Sequence, residues 1–150
     1  MKLSHGLHLA YCTNIHRGED WDETFDGLQR YTLAVRERVS PDAPFGIGLR
    51  LSAQAAHDLT DPATLKVFQH WLDQNGCYVF TINGFPYGQF HGRRVKEQVY
   101  VPDWTTRERL DYTCTLFDLL AKLLPPGIEG SVSTVPGSLR RRIRSATASR

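Results

Sequence analysis

Apolar residues recur along this chain with two alternating periods. Residues 7–14 form a short apolar run between turn formers. A helix follows from a cap at Asp20, with Trp21, Phe25, Leu28, Tyr31 and Val35 at three- and four-residue spacing. Ser40-Pro41-Asp42-Ala43-Pro44 ends it, because a residue before proline is pushed out of helical geometry. Residues 45–51 read as a second strand. After a polar turn, a second helix is predicted over 62–74, with Pro62 in its first turn, Leu65, Phe68 and Leu72 on one face, and Asn75-Gly76 at its C-terminal end. Residues 77–83 are the third strand. A long loop leads from there to a helix starting at Thr105 or Thr106, whose buried stripe is predicted as Leu110, Thr113, Phe117, Leu120 and Leu124. Pro125-Pro126-Gly127 stops it, and residues 128–135 form the fourth strand.

Strand and helix alternating in this way predict an α/β fold with a parallel sheet. One parity of the strands is large and apolar: Leu7, Leu9, Tyr11; Phe45, Ile47, Leu49; Tyr78, Phe80, Ile82; Ile128, Val132. These positions should face helices. The other parity is small or polar: His8, Ala10, Cys12, Asn14; Gly46, Gly48, Arg50; Cys77, Val79, Thr81, Asn83; Glu129, Ser131, Ser133. A doubly wound sheet carries helices on both faces and needs bulk on both parities, whereas a barrel lumen tolerates small and polar ones. The expectation is therefore the N-terminal half of a (β/α)8 TIM barrel, with four parallel strands where a complete barrel has eight. Residues 1–138 make up this truncated unit, residues 139–150 a basic, disordered tail. The open edges of such a sheet predict self-association.

Composition narrows the class. A 41% hydrophobic and 11% aromatic content suits a packed core rather than a disordered chain. The start of the chain, broken by His5 and His8, is a poor signal peptide, and no run approaches the ~20 apolar residues of a membrane span. Three widely spaced cysteines, Cys12, Cys77 and Cys114, fit neither a disulfide framework nor a zinc knuckle, which points to a reducing cytoplasm. The net charge of +2 depends on Arg140, Arg141, Arg142, Arg144 and Arg150. Without them 13 basic residues face 16 acidic ones, so the body is mildly acidic and nucleic acid is a disfavoured partner.

In a parallel barrel the chemistry sits at the C-terminal ends of the strands. The polar parity ends there in Asn14, Arg50, Asn83 and Ser133, with His16 just beyond the first strand. Amides, a hydroxyl and a guanidinium suit a hydroxyl-rich or anionic small molecule, and these four are the candidate substrate-binding residues. Each has a structural alternative: the asparagines close turns, and the hydroxyl merely ends a strand. Arg50, ending an apolar strand, must find a carboxylate, a phosphate or water. His16 and His91 are the candidate proton carriers, His91 lying in the long loop beside Phe90, Gly92, Arg93, Arg94, Lys96 and Glu97. Asp103 and Trp104 are expected to anchor that loop and cap the next helix, and His57 and His70 to be structural. No His-Glu-x-x-His, Cys-x-x-Cys or Gly-x-Gly-x-x-Gly pattern occurs, so no metal or nucleotide cofactor is assigned.

The blocks Leu9-Ala10-Tyr11-Cys12-Thr13-Asn14-Ile15-His16, Gly48-Leu49-Arg50-Leu51-Ser52 and Thr81-Ile82-Asn83-Gly84-Phe85-Pro86-Tyr87-Gly88 carry a family likeness. So do Phe90-His91-Gly92 with Val95-Lys96-Glu97, then Val99-Tyr100-Val101-Pro102-Asp103-Trp104, and Ser133-Thr134-Val135-Pro136-Gly137-Ser138. Together they resemble the N-terminal part of the EboE-like metabolite traffic proteins in the xylose isomerase-like TIM-barrel superfamily. The resemblance implies a cytoplasmic barrel handling a small polar metabolite, in a superfamily of sugar isomerases, epimerases and endonucleases. It also implies a divalent metal in a full-length form, held mainly by later strands that this chain lacks. Three functions follow as expectations: an isomerase or epimerase, a non-catalytic metabolite carrier, or an inactive fragment.

Overall fold

A computed structural model describes residues 1–88 and 99–140. Four strands, β1 (Tyr11–Cys12), β2 (Phe45–Arg50), β3 (Cys77–Asn83) and β4 (Ser131–Ser133), form one parallel sheet in the order β1-β2-β3-β4. Between β1 and β2 run α1 (Trp21–Gly27), a π-helical turn (Leu28–Thr32) and α2 (Leu33–Val39). α3 (Ala53–Asp58) and α4 (Pro62–Gln74) join β2 to β3, and α5 (Arg107–Leu123) joins β3 to β4. The α/β class with helices between parallel strands is as predicted.

The packing is one-sided. Phe45, Ile47 and Leu49 of β2 share a single buried cluster with Trp21 and Leu28, with Leu65, Phe68, Trp71 and Leu72 of α4, and with Tyr112, Leu116, Leu119 and Leu120 of α5. Trp21, Phe25, Phe68 and Trp71 interlock at ring separations of 4.9–6.1 Å. Such aromatic pairs add about 0.5–1.5 kcal/mol each beyond their burial. The opposite parity of β2 is glycine: a Cβ at Gly48 would stand 3.3 Å from Ala10 Cβ and 3.4 Å from Thr81 Cγ2. The helices therefore cover one face, and small residues on the other lie toward its C-terminal end.

Several expectations need correction. The first strand shrinks to Tyr11–Cys12, because residues 1–9 turn back on themselves: Leu9 N donates to Met1 O at 2.8 Å, Leu3 N to Leu7 O at 2.8 Å, and Lys2 bridges His8 antiparallel. Leu7 and Leu9 are consequently exposed rather than under helices. On β3, Ile47 pairs with Val79 but Gly48 with Thr81, a bulge that adds one residue. The bulge reverses parity halfway along. Cys77 and Val79 are buried on the helix side, while Tyr78 and Phe80 turn to the other face and touch His8. On α5 Thr113 and Leu120 are buried as predicted, but the buried face also takes in Arg109, Tyr112, Leu116, Leu119 and Leu123, and Leu110 and Phe117 are exposed. The π turn rephases the first helix, leaving Tyr31 exposed and Thr32 buried. The fourth strand is limited to Ser131–Ser133. Where a polar turn was expected, Ser52 caps α3 by accepting from Ala55 N at 3.0 Å.

Candidate functional site

At the C-terminal rim the backbone of β1 leaves the sheet, and a side chain continues its ladder. Thr13 Oγ1 accepts from Arg50 N at 2.8 Å and donates to Gly48 O at 3.4 Å, taking the place of a strand neighbour to β2. Register then aligns the predicted residues. Arg50 pairs with Asn83, Asn83 pairs with Ser133, and Asn14 lies two residues beyond Cys12, which pairs with Gly48. Arg50, Asn83 and Ser133 thus end neighbouring strands at one level of one sheet, and Asn14 lies in the 3-10 turn Thr13–Ile15 that follows β1.

Their side chains are largely occupied by the fold. The Arg50 side chain, 3% exposed, donates to Gly18 O and, at 2.9 Å, to Gly88 O, with Glu19 Oε1 4.0 Å away. It ties the loop after β1 to the loop after β3. Burial pulls the guanidinium pKa below its ordinary value, and the Glu19 carboxylate works against that shift. Asn83 Oδ1 accepts from Phe85 N at 3.1 Å, an Asx turn, and from Ser133 Oγ at 2.8 Å. Beside this pair Thr81 Oγ1 and Ser131 Oγ lie 2.9 Å apart, so a double row of polar groups lines the open face of β3 and β4. Asn14 is half-buried, its Oδ1 without a hydrogen-bond partner among the described residues.

His16 bonds through Nε2 to Tyr11 Oη at 2.8 Å and stacks on Tyr31 at 4.7 Å. Behind it Thr13, Gly18, Leu28 and Arg50 enclose about 10 Å³, the size of a single water. That nook holds no metabolite. His91, with Phe90, Arg93, Arg94, Lys96 and Glu97, lies outside the described residues, as do Arg141, Arg142, Arg144 and Arg150.

The larger opening is beside these residues. Glu19, Asp20, Ser52, Gln54, His57 and Tyr87 line a cleft of about 680 Å³ between the loops that follow β1, β2 and β3. Its floor is rigid. Ser52 Oγ donates to Glu19 O, Ala53 N donates to Tyr87 O at 2.8 Å, and the Tyr87 ring meets Tyr112 edge-on at 4.9 Å with the Arg109 guanidinium 5.6 Å from its centre. Tyr112 in turn donates to Leu51 O at 2.6 Å, and burial raises its phenol pKa well above the ordinary value.

A second buried arginine builds the next loop. Arg109, fully buried, donates to Gly84 O at 2.9 Å and Pro102 O at 2.8 Å, clasping both ends of the segment between β3 and α5. Asp103 accepts from Thr105 N at 3.0 Å and Ser138 Oγ at 2.6 Å, and Trp104 Nε1 donates to Val135 O at 2.9 Å. These residues anchor the loop as expected, although the cap position of α5 belongs to Thr106.

The cleft was missed because His57 was assigned to a distant helix. The missed clue was Ser52 three residues before Ala55, directly after a strand, which starts a helix at the rim and brings Gln54 and His57 with it. Among the described residues no three His, Cys, Asp or Glu side chains converge to hold a metal ion. No described helix is long and apolar enough to cross a membrane. No family model, curated protein or solved structure matches this chain.

Proposed function

We propose that this chain is four βα units of a (β/α)8 barrel, similar to the EboE-like metabolite traffic proteins, and that its rim binds a small hydroxyl-rich metabolite. The observation that carries the reading is the sequential order β1-β2-β3-β4, with every helix packed into one core and with Gly48, Thr81, Ser131 and Ser133 toward the C-terminal end of the opposite face, beyond the aromatic Tyr78 and Phe80. A doubly wound sheet reverses its strand order and places helices on both faces. In a barrel the bare face is the lumen and the strands' C-terminal ends hold the ligand.

Tyr87 offers an aromatic platform for the C–H face of a sugar or cyclic polyol. Gln54, Asp20 and His57 line the same cleft and can meet its hydroxyls. Because Arg50 is spent on Gly18 and Gly88, the described rim favours neutral polyols over phosphorylated ones. Binding without turnover is the better supported role of this chain. Isomerisation or epimerisation is the second reading, favoured by His16 on Tyr11 and by His57 in the cleft, since proton transfer beside a carbonyl needs a base near neutrality. The three free thiols fit a reducing compartment.

Titration calorimetry against neutral monosaccharides, cyclic polyols and their phosphates tests the reading. Gln54→Ala and His57→Ala, both at exposed positions, should weaken polyol binding at least fivefold. Polyol binding unaffected by either change, or no binding at millimolar ligand, would remove the proposal. Solvent-deuterium incorporation into a bound sugar would move the assignment from carrier to isomerase.

A further inference from the structure

Outer apolar positions are sealed in the middle of the sheet and open at its two edges. Ile47, Leu49, Val79 and Ile82 are fully buried, whereas Leu3, Leu7 and Leu9, flanking β1, are 49%, 62% and 52% exposed. At the other edge α5 packs on β3 and β4, and its Leu110 and Phe117, on one helical stripe, are 40% and 53% exposed. β1 pairs only with β2, and β4 only with β3, among the described strands.

We propose that a second copy of this chain covers both edges at once. β1 of each protomer pairs in parallel with β4 of the other, giving a closed eight-stranded barrel with twofold symmetry; this rests on the half-barrel reading above. A twofold axis along the barrel keeps all strand directions, so the partner's β1 follows β4 just as β2 follows β1. Two such contacts form together and leave no edge, whereas an antiparallel pairing or a one-edge contact leaves hydrogen-bonding groups open.

The side chains suit this closure. His8, Tyr78 and Phe80 fill the N-terminal end of the open face, and Cys12, Gly48, Thr81, Ser131 and Ser133 at its C-terminal end are small enough to face their own copies across a lumen. Outside, Leu7 and Leu9 of one protomer meet the β4–α5 flank of the other. A stable dimer removes about 800 Å² from each partner, less than a tenth of this chain's 9343 Å². Five half-open apolar side chains at roughly 100 Å² each supply more than half of that, and the strand edges supply the rest.

Sedimentation equilibrium and light scattering on the full chain, over a micromolar concentration series, read the mass. The expected value is twice 17.0 kDa. Leu7→Asp and Phe117→Asp, each at an exposed position, should each return the mass to one chain with an unchanged circular dichroism spectrum. In a Cys114→Ser background, Cys12 is exposed on one chain but faces the lumen of the pair, so it should react with a thiol reagent at least tenfold more slowly than in the added presence of Leu7→Asp. A 17.0 kDa monomer throughout, open-ended oligomers, or a dimer indifferent to both substitutions overturns the proposal. The two readings fail separately: a monomer that still binds polyol at the cleft rejects only the pairing, and a closed dimer that binds none rejects only the ligand.

Discussion

Replacing Thr13 by valine is the sharpest probe of the rim, because it keeps the shape and removes one hydroxyl. That hydroxyl accepts from Arg50 N at 2.8 Å and donates to Gly48 O at 3.4 Å. The second contact is too long to contribute much. The first matters because Arg50 is buried, so its backbone N–H would lose this acceptor where water does not reach it. An unmatched buried donor costs about 1–3 kcal/mol. With a urea dependence of about 2 kcal/mol per molar, mid-range for a small domain, the unfolding midpoint should fall by roughly 0.5–1.5 M. The assay is urea unfolding followed by circular dichroism at one fixed protein concentration, since any pairing of chains makes the midpoint concentration-dependent. Thr13→Ser, which keeps the oxygen, should lose less than Thr13→Val. Equal midpoints for Thr13→Val and the parent chain, or a larger loss for Thr13→Ser, would refute the claim that a side chain substitutes for the strand ladder.

Other outcomes follow from the same geometry. Arg50→Lys keeps the charge but cannot span Gly18 and Gly88 together. It should cost about 2–3 kcal/mol and weaken cleft binding, and unchanged thermal and ligand titrations would contradict this. Gly84→Ala places a Cβ 2.6 Å from Leu116 Cδ1 and 2.8 Å from Ser133 O, and the backbone oxygen cannot step aside. A loss of about 1–3 kcal/mol should appear in the melt, and an unshifted melt would mean that this approach is looser than described. Tyr112 should ionise last among the six tyrosines in a spectroscopic titration at 295 nm. Because its folded pKa is raised, both states keep the proton below pH 10, and only the unfolded state loses it just above. Stability therefore falls as pH climbs past 10, and Tyr112→Phe should flatten that fall, which alkaline unfolding curves would register.

Local pattern carried much of the architecture. The helix over 62–74 was legible because Pro62 and the Leu65, Phe68, Leu72 face are local, and the structure adds Asp61 as its cap, accepting from Thr64 N at 2.8 Å. The alignment of Arg50, Asn83 and Ser133 was legible because each ends its strand on the same parity. Errors arose where one residue changes the phase. The bulge on β3 and the π turn after α1 each insert a residue that leaves no mark on spacing, since the gain that favours them lies in contacts with other elements. On α5 Thr113 and Leu120 were legible but the rest of the buried face was not, because it includes Arg109, and a charge is not expected there until the carbonyls of Gly84 and Pro102 are seen to receive it.

Alternating periodicity, by itself, determined that strands and helices would interleave in a parallel α/β fold, because those periods reflect backbone geometry that is local. Only the folded arrangement decided that Arg50 would be consumed in joining two loops and that the open cleft would belong to Ser52, Gln54, His57 and Tyr87. Hydrogen-bond capacity is shared among groups brought together from distant parts of the chain. Which polar side chain is spent on structure and which stays free for a ligand is therefore settled by partners 30 or more residues away.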